Sequence, residues 1–457
     1  MTREPFMSIA LIILAAGKGT RMNSDLPKVL HEIGGAPMLL HAVEAGQTLD
    51  PGHTVIVAGH GVDAVAEAAR AHDDTVRIVL QEDQLGTAHA VAQARSELAE
   101  FHGDALVLYG DTPFIRPETL QRMADARQAN DIVVLGFEAA DPGRYGRLVV
   151  ENGSLERIVE FKDTTPAEQA ITLCNSGVVM ASAPVLFDLI DAVGNDNASG
   201  EYYLTDIVGL ARARGLSATA VTCDAAETMG INSRAELSVA EAAFQARRRA
   251  ETMEDGVTLV APDTVHFAHD TYLGRDCLIE QNVIFGPGVT IETGARIRAF
   301  SHLEGCHVAR GAVVGPYARL RPGTELAEDT RIGNFVEVKQ AQIGEGSKIN
   351  HLSYIGDAEI GRDSNIGAGT ITCNYDGVMK HETRIGDGVF IGSDTMLVAP
   401  VSVGDDAMTG SGSVITQDVA PGALALGRAR QVEKPGFARK LLDILRAKKA
   451  QRDKERG

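Results

Sequence analysis

The stretch LIEQNVIFGPGVTIETGARIRAFSHLEGCHVARGAVVGPYARLRPGTELAEDTRIGNFVEVK, Leu278 to Lys339, carries an apolar residue at every sixth position: Ile279, Phe285, Ile291, Ile297 and Leu303, then Val308, Val314, Leu320, Leu326, Ile332 and Val338. A further register runs through Ile385, Ile391, Leu397, Val403, Thr409 and Ile415. Six residues of α-helix rotate by roughly 240° beyond a full turn, so these positions share no helical face. Six is a multiple of the strand period, but no single strand runs so far, so the chain turns a corner at each repeat and coils into a solenoid. With three sides per coil, equivalent residues recur every 18 positions. Ile-Gly pairs at 332, 343, 355, 360, 366, 385 and 391 supply turn glycines. The period breaks between Ile366 and Ile385, where Thr372-Cys373-Asn374-Tyr375-Asp376-Gly377 must leave the coil as a loop. Interruptions of this kind are usually functional.

Ahead of the solenoid the pattern differs. Up to residue 234, apolar runs such as Ile9 to Leu14, Thr54 to Ala58, Ala105 to Tyr109 and Ile132 to Phe137 alternate with helical patterns such as Thr87 to Leu98. That alternation predicts a Rossmann-like α/β domain, a mostly parallel sheet covered on both faces, whose ligands sit beyond the carboxyl ends of the strands. Residues 235–254, rich in Ala, Glu, Gln and Arg without turn residues, read as one linking helix, and 255–457 as the solenoid domain with a basic tail.

Composition agrees. A chain of 457 residues with 44% hydrophobic content exceeds the size at which single cores stop growing, about 250 to 300 residues, so two domains are expected. The net charge of -19 argues against nucleic acid or an anionic membrane as main partner. Cys174, Cys223, Cys277, Cys306 and Cys373 form no C-x-x-C pair, which suggests neither a disulfide framework nor a zinc site and points to a reducing cytoplasm. Arg3 followed by the apolar run from Phe6 to Ala16 imitates a secretory signal, but Glu4 precedes the run and a glycine-rich loop follows it. No stretch of about 18 apolar residues exists to span a membrane.

That loop, Leu14-Ala15-Ala16-Gly17-Lys18-Gly19-Thr20-Arg21-Met22, followed by Pro27-Lys28, lets backbone approach a nucleotide while Arg21 and Lys28 neutralise phosphate. It is neither a Rossmann G-x-G-x-x-G nor a Walker loop. The combination resembles the sugar-phosphate nucleotidyltransferase family. Further matches follow in order: Gln81 with Gly86-Thr87 resembles the family's base-recognising segment, and Tyr109-Gly110-Asp111 its metal-binding turn. Tyr145-Gly146-Arg147, Ile158-Val159-Glu160, Asn175-Ser176-Gly177 and Glu201 to Asp206 resemble its sugar-binding side, and Gly230-Ile231-Asn232 its second metal segment. The resemblance implies Mg²⁺ held by Asp111 and Asn232; the choice of uridine rests on it alone.

In the solenoid, Arg321 and Lys339 stand 18 residues apart, hence on the same side of consecutive coils at roughly 4.8 Å. Like charges opposite one another destabilise a ladder unless an anion joins them, and a sugar phosphate would serve. Glu337 alternates with Lys339, and His351-Leu352-Ser353-Tyr354 follows two sides later. An isolated histidine is more often a satisfied surface residue, but a neutral imidazole near such cations suits proton removal from an amine. An acetyl-enzyme on Cys373 is disfavoured because no basic neighbour adjoins it.

These residues, with Asn365, Ala368, Asn374-Tyr375, Ser393 and Ser411, resemble the left-handed parallel β-helix of hexapeptide acyltransferases, and in particular the bacterial bifunctional enzymes that pair glucosamine-1-phosphate acetyltransfer with N-acetylglucosamine-1-phosphate uridyltransfer. The resemblance implies that Arg321, Lys339, Tyr354 and Asn365 hold glucosamine 1-phosphate with His351 as general base. It implies that Ala368, Asn374, Tyr375, Ser393, Ser411 and Arg428 line an acetyl-CoA site between subunits of a homotrimer. Relatives often carry alanine at the position of Ser411. A role in supplying cell-wall precursors follows, against the alternative of a nucleotidyltransferase with a purely structural β-helix. From Lys434 the tail carries nine basic and three acidic residues and reads as a solvated helix, a disordered end or a segment packing on a neighbouring subunit.

Overall fold

The computed structural model describes residues 8–456. Arg3, Glu4 and Phe6 of the signal-like run lie outside the described residues. The rest of that run forms Ile9–Ala15 (β1), buried at every position, as a strand covered on both faces must be. His53–Ala58 (β2) pairs with β1 in parallel, Arg77–Leu80 (β3) pairs with β2 in parallel, and Asp104–Tyr109 (β4) takes the other side of β1, also in parallel. The sheet continues with Ile132–Glu138 (β5), Leu173–Ser182 (β6) and Ala218–Cys223 (β7), in the order β7-β5-β6-β4-β1-β2-β3. Only β6 runs against its neighbours in that path. Alternate residues of β1 feed separate cores. Ala10, Ile12 and Leu14 pack with Val91, Leu186 and Ile207, whereas Leu11 and Ile13 pack with Leu39, Val43 and Leu120. The carboxyl ends of β1, β3 and β4 therefore open on one edge, and the loops that follow them carry the predicted site residues.

The described chain divides into two compact units: one up to Ala250 with Phe267–His269, the other Glu251–His266 with the chain from Asp270 onward. The long helix expected near 235–254 spans Arg234–Glu254. Its Ala240 and Phe244 are buried against Ile33, Met38, Phe114 and Ile231, so its first half is part of the first unit's packing.

The second unit is a parallel β-helix. Every residue of the three six-residue registers is buried, none more than 5% exposed. Ile279 pairs with Ile297, Ile291 with Val308 and Leu320 with Val338, so coils of 17 or 18 residues stack like on like. After Ile366 the partner is Ile391, and the extra residues form the expected loop, closed by an antiparallel bridge from Tyr375 to Lys380. The tail forms the helix Phe437–Arg456, exposed through Glu455.

Candidate active sites

In the first unit, the chain leaves β1 through Gly17-Lys18-Gly19 into the turn Thr20–Met22. Gly19 has φ +59°, and a Cβ there would stand 2.6 Å from the Cβ of Lys28, so glycine is what lets the loop close over Lys28. Lys28 is only 9% exposed; its Nζ donates to Oδ2 of Asp111 and, at 3.0 Å, to Oδ1 of Asn232. Asp111 is delivered by the turn after β4, and its carbonyl accepts from the amide of Ile231 at 3.0 Å, which draws Asn232 to the same point. The amide of Asn232 in turn donates to Glu236 at 2.6 Å. Two oxygen acceptors thus converge on one cationic atom. Such a pair suits a hard divalent cation that takes its remaining ligands from phosphates and water. Among the described residues there is no cage of three or more His, Cys, Asp or Glu.

Beside this point lies a cavity of about 310 Å³. Leu14, Ala15, Ala16, Gly17, Lys28, Gln81, Gly86, Thr87, Tyr109 and Asp111, all singled out from the sequence as candidate substrate-binding residues, line it. Gly110 is buried, and its amide donates to the Leu14 carbonyl at 3.0 Å, joining the β1 and β4 turns. Arg21 stands exposed in its turn, outside the cavity wall. Gly146, Glu160 and Asn175 form a neighbouring group: the Asn175 amide donates to the Gly146 carbonyl at 2.9 Å, and a Cβ on Gly146 would lie 3.6 Å from Oε1 of Glu160. Burial raises the Glu160 carboxyl above its ordinary value, against the hydrogen bond from Thr205 at 3.1 Å. Burial likewise raises the Tyr109 phenol, with Glu160 and Asp111 adding to it. Arg147, read from sequence within a sugar-binding motif, is instead fully buried with its guanidinium donating to the carbonyls of Pro142, Gly143 and Tyr145. Gln84, which sequence reasoning missed, also lines the cavity and donates to the Ala16 carbonyl.

In the second unit, Arg319 pairs with Glu337 and Leu320 with Val338, which puts Arg321 and Lys339 at one register position of adjacent coils. The anion beside Arg321 is Glu337, at 2.9 Å. Among the described residues Lys339 forms no ion pair; Lys380 faces it and, with Arg321 behind, holds its ammonium below the usual lysine range, against the opposing pull of Asp357. Lys380 lies in the inserted loop, outside any repeat, so periodicity gave no signal for it. Asn374 bridges the loop to the coil, its Nδ2 donating to Asp357 and, at 3.4 Å, to the hydroxyl of Tyr354. Tyr375 is 61% exposed on the same loop.

His351 sits at the corner before Tyr354. Its Nδ1 donates to Oδ1 of Asn334, 2.8 Å away one coil earlier, which leaves the Nε2 lone pair as the ring's basic site. Counting back one 17-residue coil from His351 would have found Asn334. The structure does not hydrogen-bond His351 to Arg321 or Lys339; it lines a cavity of about 320 Å³ with Arg296, Arg298 and Arg331, which the sequence reading did not single out. The same corner continues through later coils. The amide of Gly369 donates to the His351 carbonyl at 3.2 Å, that of Asp394 to Ala368 at 2.7 Å, and that of Gly412 to Ser393 at 2.8 Å. Arg428 closes the column by donating to the Ser411 carbonyl at 2.6 Å. Asn365 lies between Lys348 and Phe390 on the adjoining face. Burial raises the Cys373 thiol, the direction that disfavours a thiolate.

Residues 11–176 match the model of the MobA-like NTP transferase domain, and residues 382–417 that of the bacterial transferase hexapeptide (six repeats). The chain is 67% identical over 448 residues to the Bifunctional protein GlmU of Ruegeria sp. (strain TM1040), covering 98% of this chain and 100% of that one. The protein of that name from Roseobacter denitrificans is 67% identical with the same coverage, and that from Jannaschia sp. is 61% identical over 447 residues, covering 98% of each chain.

Proposed function

Because this chain belongs to the family of bifunctional GlmU proteins, we propose that its two units carry two consecutive steps of UDP-N-acetylglucosamine synthesis. The second unit acetylates glucosamine 1-phosphate with acetyl-CoA. The first transfers UMP from UTP to N-acetylglucosamine 1-phosphate and releases pyrophosphate. The product feeds cell-wall and peptidoglycan synthesis. What carries the reading is that each unit holds its own group of converging polar side chains and that the relatives match across both units.

In acetyl transfer, Arg321, Lys339, Tyr354 and Asn365 hold the sugar phosphate, the two cations flanking its phosphoryl group. Its amine attacks the thioester carbonyl, Nε2 of His351 takes the proton, and the C–S bond breaks to release CoA. Asn334 fixes the imidazole tautomer. Ala368, Asn374, Tyr375, Ser393, Ser411 and Arg428 receive acetyl-CoA, and a homotrimer completes that site from a neighbouring subunit. Backbone contact explains why serine serves at 411.

In uridyl transfer, the sugar phosphate is already anionic, so its oxygen forms a bond to the α-phosphorus of UTP without a general base, and pyrophosphate leaves. Lys28 and Arg21 offset the triphosphate charge, Gln81, Gly86 and Thr87 receive the base, and Gly146, Glu160 and Asn175 the sugar. Asp111 and Asn232 would hold Mg²⁺, which when bound supplies further charge neutralisation between phosphates. Free cysteines fit a cytoplasmic enzyme, and among the described residues no helix is long and apolar enough to cross a membrane.

The test is free-thiol release from wild type and His351→Ala given acetyl-CoA and glucosamine 1-phosphate without UTP. Release by wild type that collapses in the variant supports the second activity and its base. No release from folded wild type would leave the β-helix a scaffold.

A further inference from the structure

Ile297 and Ile332 are buried in the coil, so the residues beside them, Arg296, Arg298 and Arg331, point outward from one face of the β-helix. Arg296 pairs with Val313, Val313 with Arg331, and Arg331 with Lys348. In the neighbouring column Arg298 is followed in the next two coils by Gly315 and Gly333. Where those side chains are missing lies the cavity of about 320 Å³ that the three arginines line with Asn334, Asn350 and His351. Among the described residues no carboxylate lines it. Glu280 stands 3.8 Å from Arg298, but Arg296 and Arg331 have neither an ion pair nor a side-chain hydrogen bond among the described residues. In a chain of formal charge -19 this leaves cations gathered without acids, and Arg331 opposite Lys348 adds like-charge repulsion along the ladder. Oδ1 of Asn334 accepts from His351, so its Nδ2 hydrogens are further donors on the wall. The charged groups and the oriented amide all donate, which calls for an anion.

We propose that Arg296, Arg298 and Arg331 bind a diphosphate group beside His351, and that acetyl transfer slows while it is bound. Guanidinium groups take phosphate oxygens in pairs. Arg296 and Arg331 are rooted two coils apart, roughly 9.6 Å along the stack, so drawing both onto one phosphoryl group would press like charges together. A diphosphate gives each its own phosphoryl group and brings a charge closer to that of three cations. The cavity spans coils up to His351, whereas Ala368, Ser393, Ser411 and Arg428, proposed for acetyl-CoA, continue the corner in the coils after it. An occupant lies against the imidazole proposed to take the amine proton, and that gives it leverage on the step. Free pyrophosphate and the nucleotide sugar both carry the required group. The slowing rests on the acetyl transfer proposed above; the binding does not.

The experiment is calorimetric titration of pyrophosphate, and separately of UDP-N-acetylglucosamine, into full-length Lys28→Met protein without divalent cations, which weakens the first unit's own phosphate site. The same titrations are run with Arg296→Gln, Arg331→Gln or Arg321→Gln added. Binding should weaken about tenfold or more with each of the first two and persist with Arg321→Gln. Arginine-dependent binding of pyrophosphate marks the free anion as occupant, and of UDP-N-acetylglucosamine the nucleotide sugar; either supports the site. In thiol-release assays on the same proteins the bound ligand should slow acetyl transfer, and each of Arg296→Gln and Arg331→Gln should require about tenfold more of it, with KM for glucosamine 1-phosphate unchanged. The acetyl transfer that each variant retains reports that it is folded. No binding of either ligand, binding that survives both arginine substitutions, or binding without slowing overturns the proposal. So does a raised KM in Arg331→Gln, which would give the arginines to the phosphate of the acetyl acceptor. A wild type that releases no thiol defeats the proposed acetyl transfer itself, and the calorimetry still reads the site.

Discussion

Among the described residues Lys28 is the one cation that donates to both Asp111 and Asn232, so removing its ammonium leaves two oxygen acceptors without that partner and takes from a triphosphate one of its two proposed side-chain counter-charges. Lys28→Met should lower pyrophosphate release about a hundredfold while thiol release in the acetyl half-reaction stays at wild-type level. Asn334 tests the other site: it touches no substrate in the proposed mechanism but holds Nδ1–H of His351. Asn334→Leu should cut kcat for acetyl transfer by about tenfold or more with little change in KM for glucosamine 1-phosphate, because the ring keeps its place and loses its tautomer. Lys339 gives a pH dependence with a definite sign. Lys380 makes its charged form less favourable, so the proton leaves at a lower pH than from an ordinary lysine. The repulsion burdens the fold while both ammonium groups are charged and fades as pH rises through that lowered value toward the ordinary one. Over the same window phosphate affinity should weaken. Lys380→Met should move this alkaline limb in KM to higher pH and, by losing one cation, raise KM at neutral pH about tenfold.

The segment from Leu85 to Ala88 is fastened to the loop at Tyr202 by two backbone hydrogen bonds, Tyr202 to Leu85 at 2.8 Å and Ala88 to Tyr202 at 3.0 Å, and to Leu204 through the Thr87 hydroxyl at 2.9 Å. Gly86 has φ +123°, and a Cβ there would lie 2.5 Å from the Tyr202 carbonyl oxygen. Gly86→Ala should therefore destabilise the first unit by about 1–3 kcal/mol, lower the first thermal transition in calorimetry and depress uridyl transfer, with acetyl transfer unaffected. Elements of this kind divide into those a pattern could reveal and those it could not. Ile279 to Ile415 were legible because one side chain per coil face must be buried, and that demand repeats at a fixed interval. The reversed direction of β6 was not, because Val178 to Ala181 are as apolar as a parallel strand and burial carries no information about polarity of the chain. The glycine-rich loop and the turn after β4 were legible since short-range backbone demands select their residues. Lys380, Asn334 and Gln84 act through contacts made across coils or loops, and residue type alone says nothing of those. Arg147 shows the converse, a motif position whose guanidinium the fold spends on its own carbonyls.

Two compact units, each with its own proposed reacting groups, make a prediction about the whole chain that neither site makes alone. If the acetylated sugar phosphate passes through solvent, a protein defective in one step can be complemented by a protein defective in the other. Lys28→Met retains Arg321, Lys339 and His351 and should release N-acetylglucosamine 1-phosphate without consuming it. His351→Ala retains Lys28, Asp111 and Asn232 and should convert added N-acetylglucosamine 1-phosphate but not glucosamine 1-phosphate. Each variant given glucosamine 1-phosphate, acetyl-CoA and UTP should by itself make no appreciable UDP-N-acetylglucosamine. Mixed, they should make it after a lag during which the acetylated intermediate accumulates, and the lag should shorten as the concentration of the His351→Ala protein is raised, because capture from solution is then the slow step. Chromatography of the sugar phosphates against time measures both quantities. A mixture that stays inactive although each variant performs its own half-reaction would mean that the intermediate is not exchanged through solvent, and the two steps would have to be coupled within one assembly.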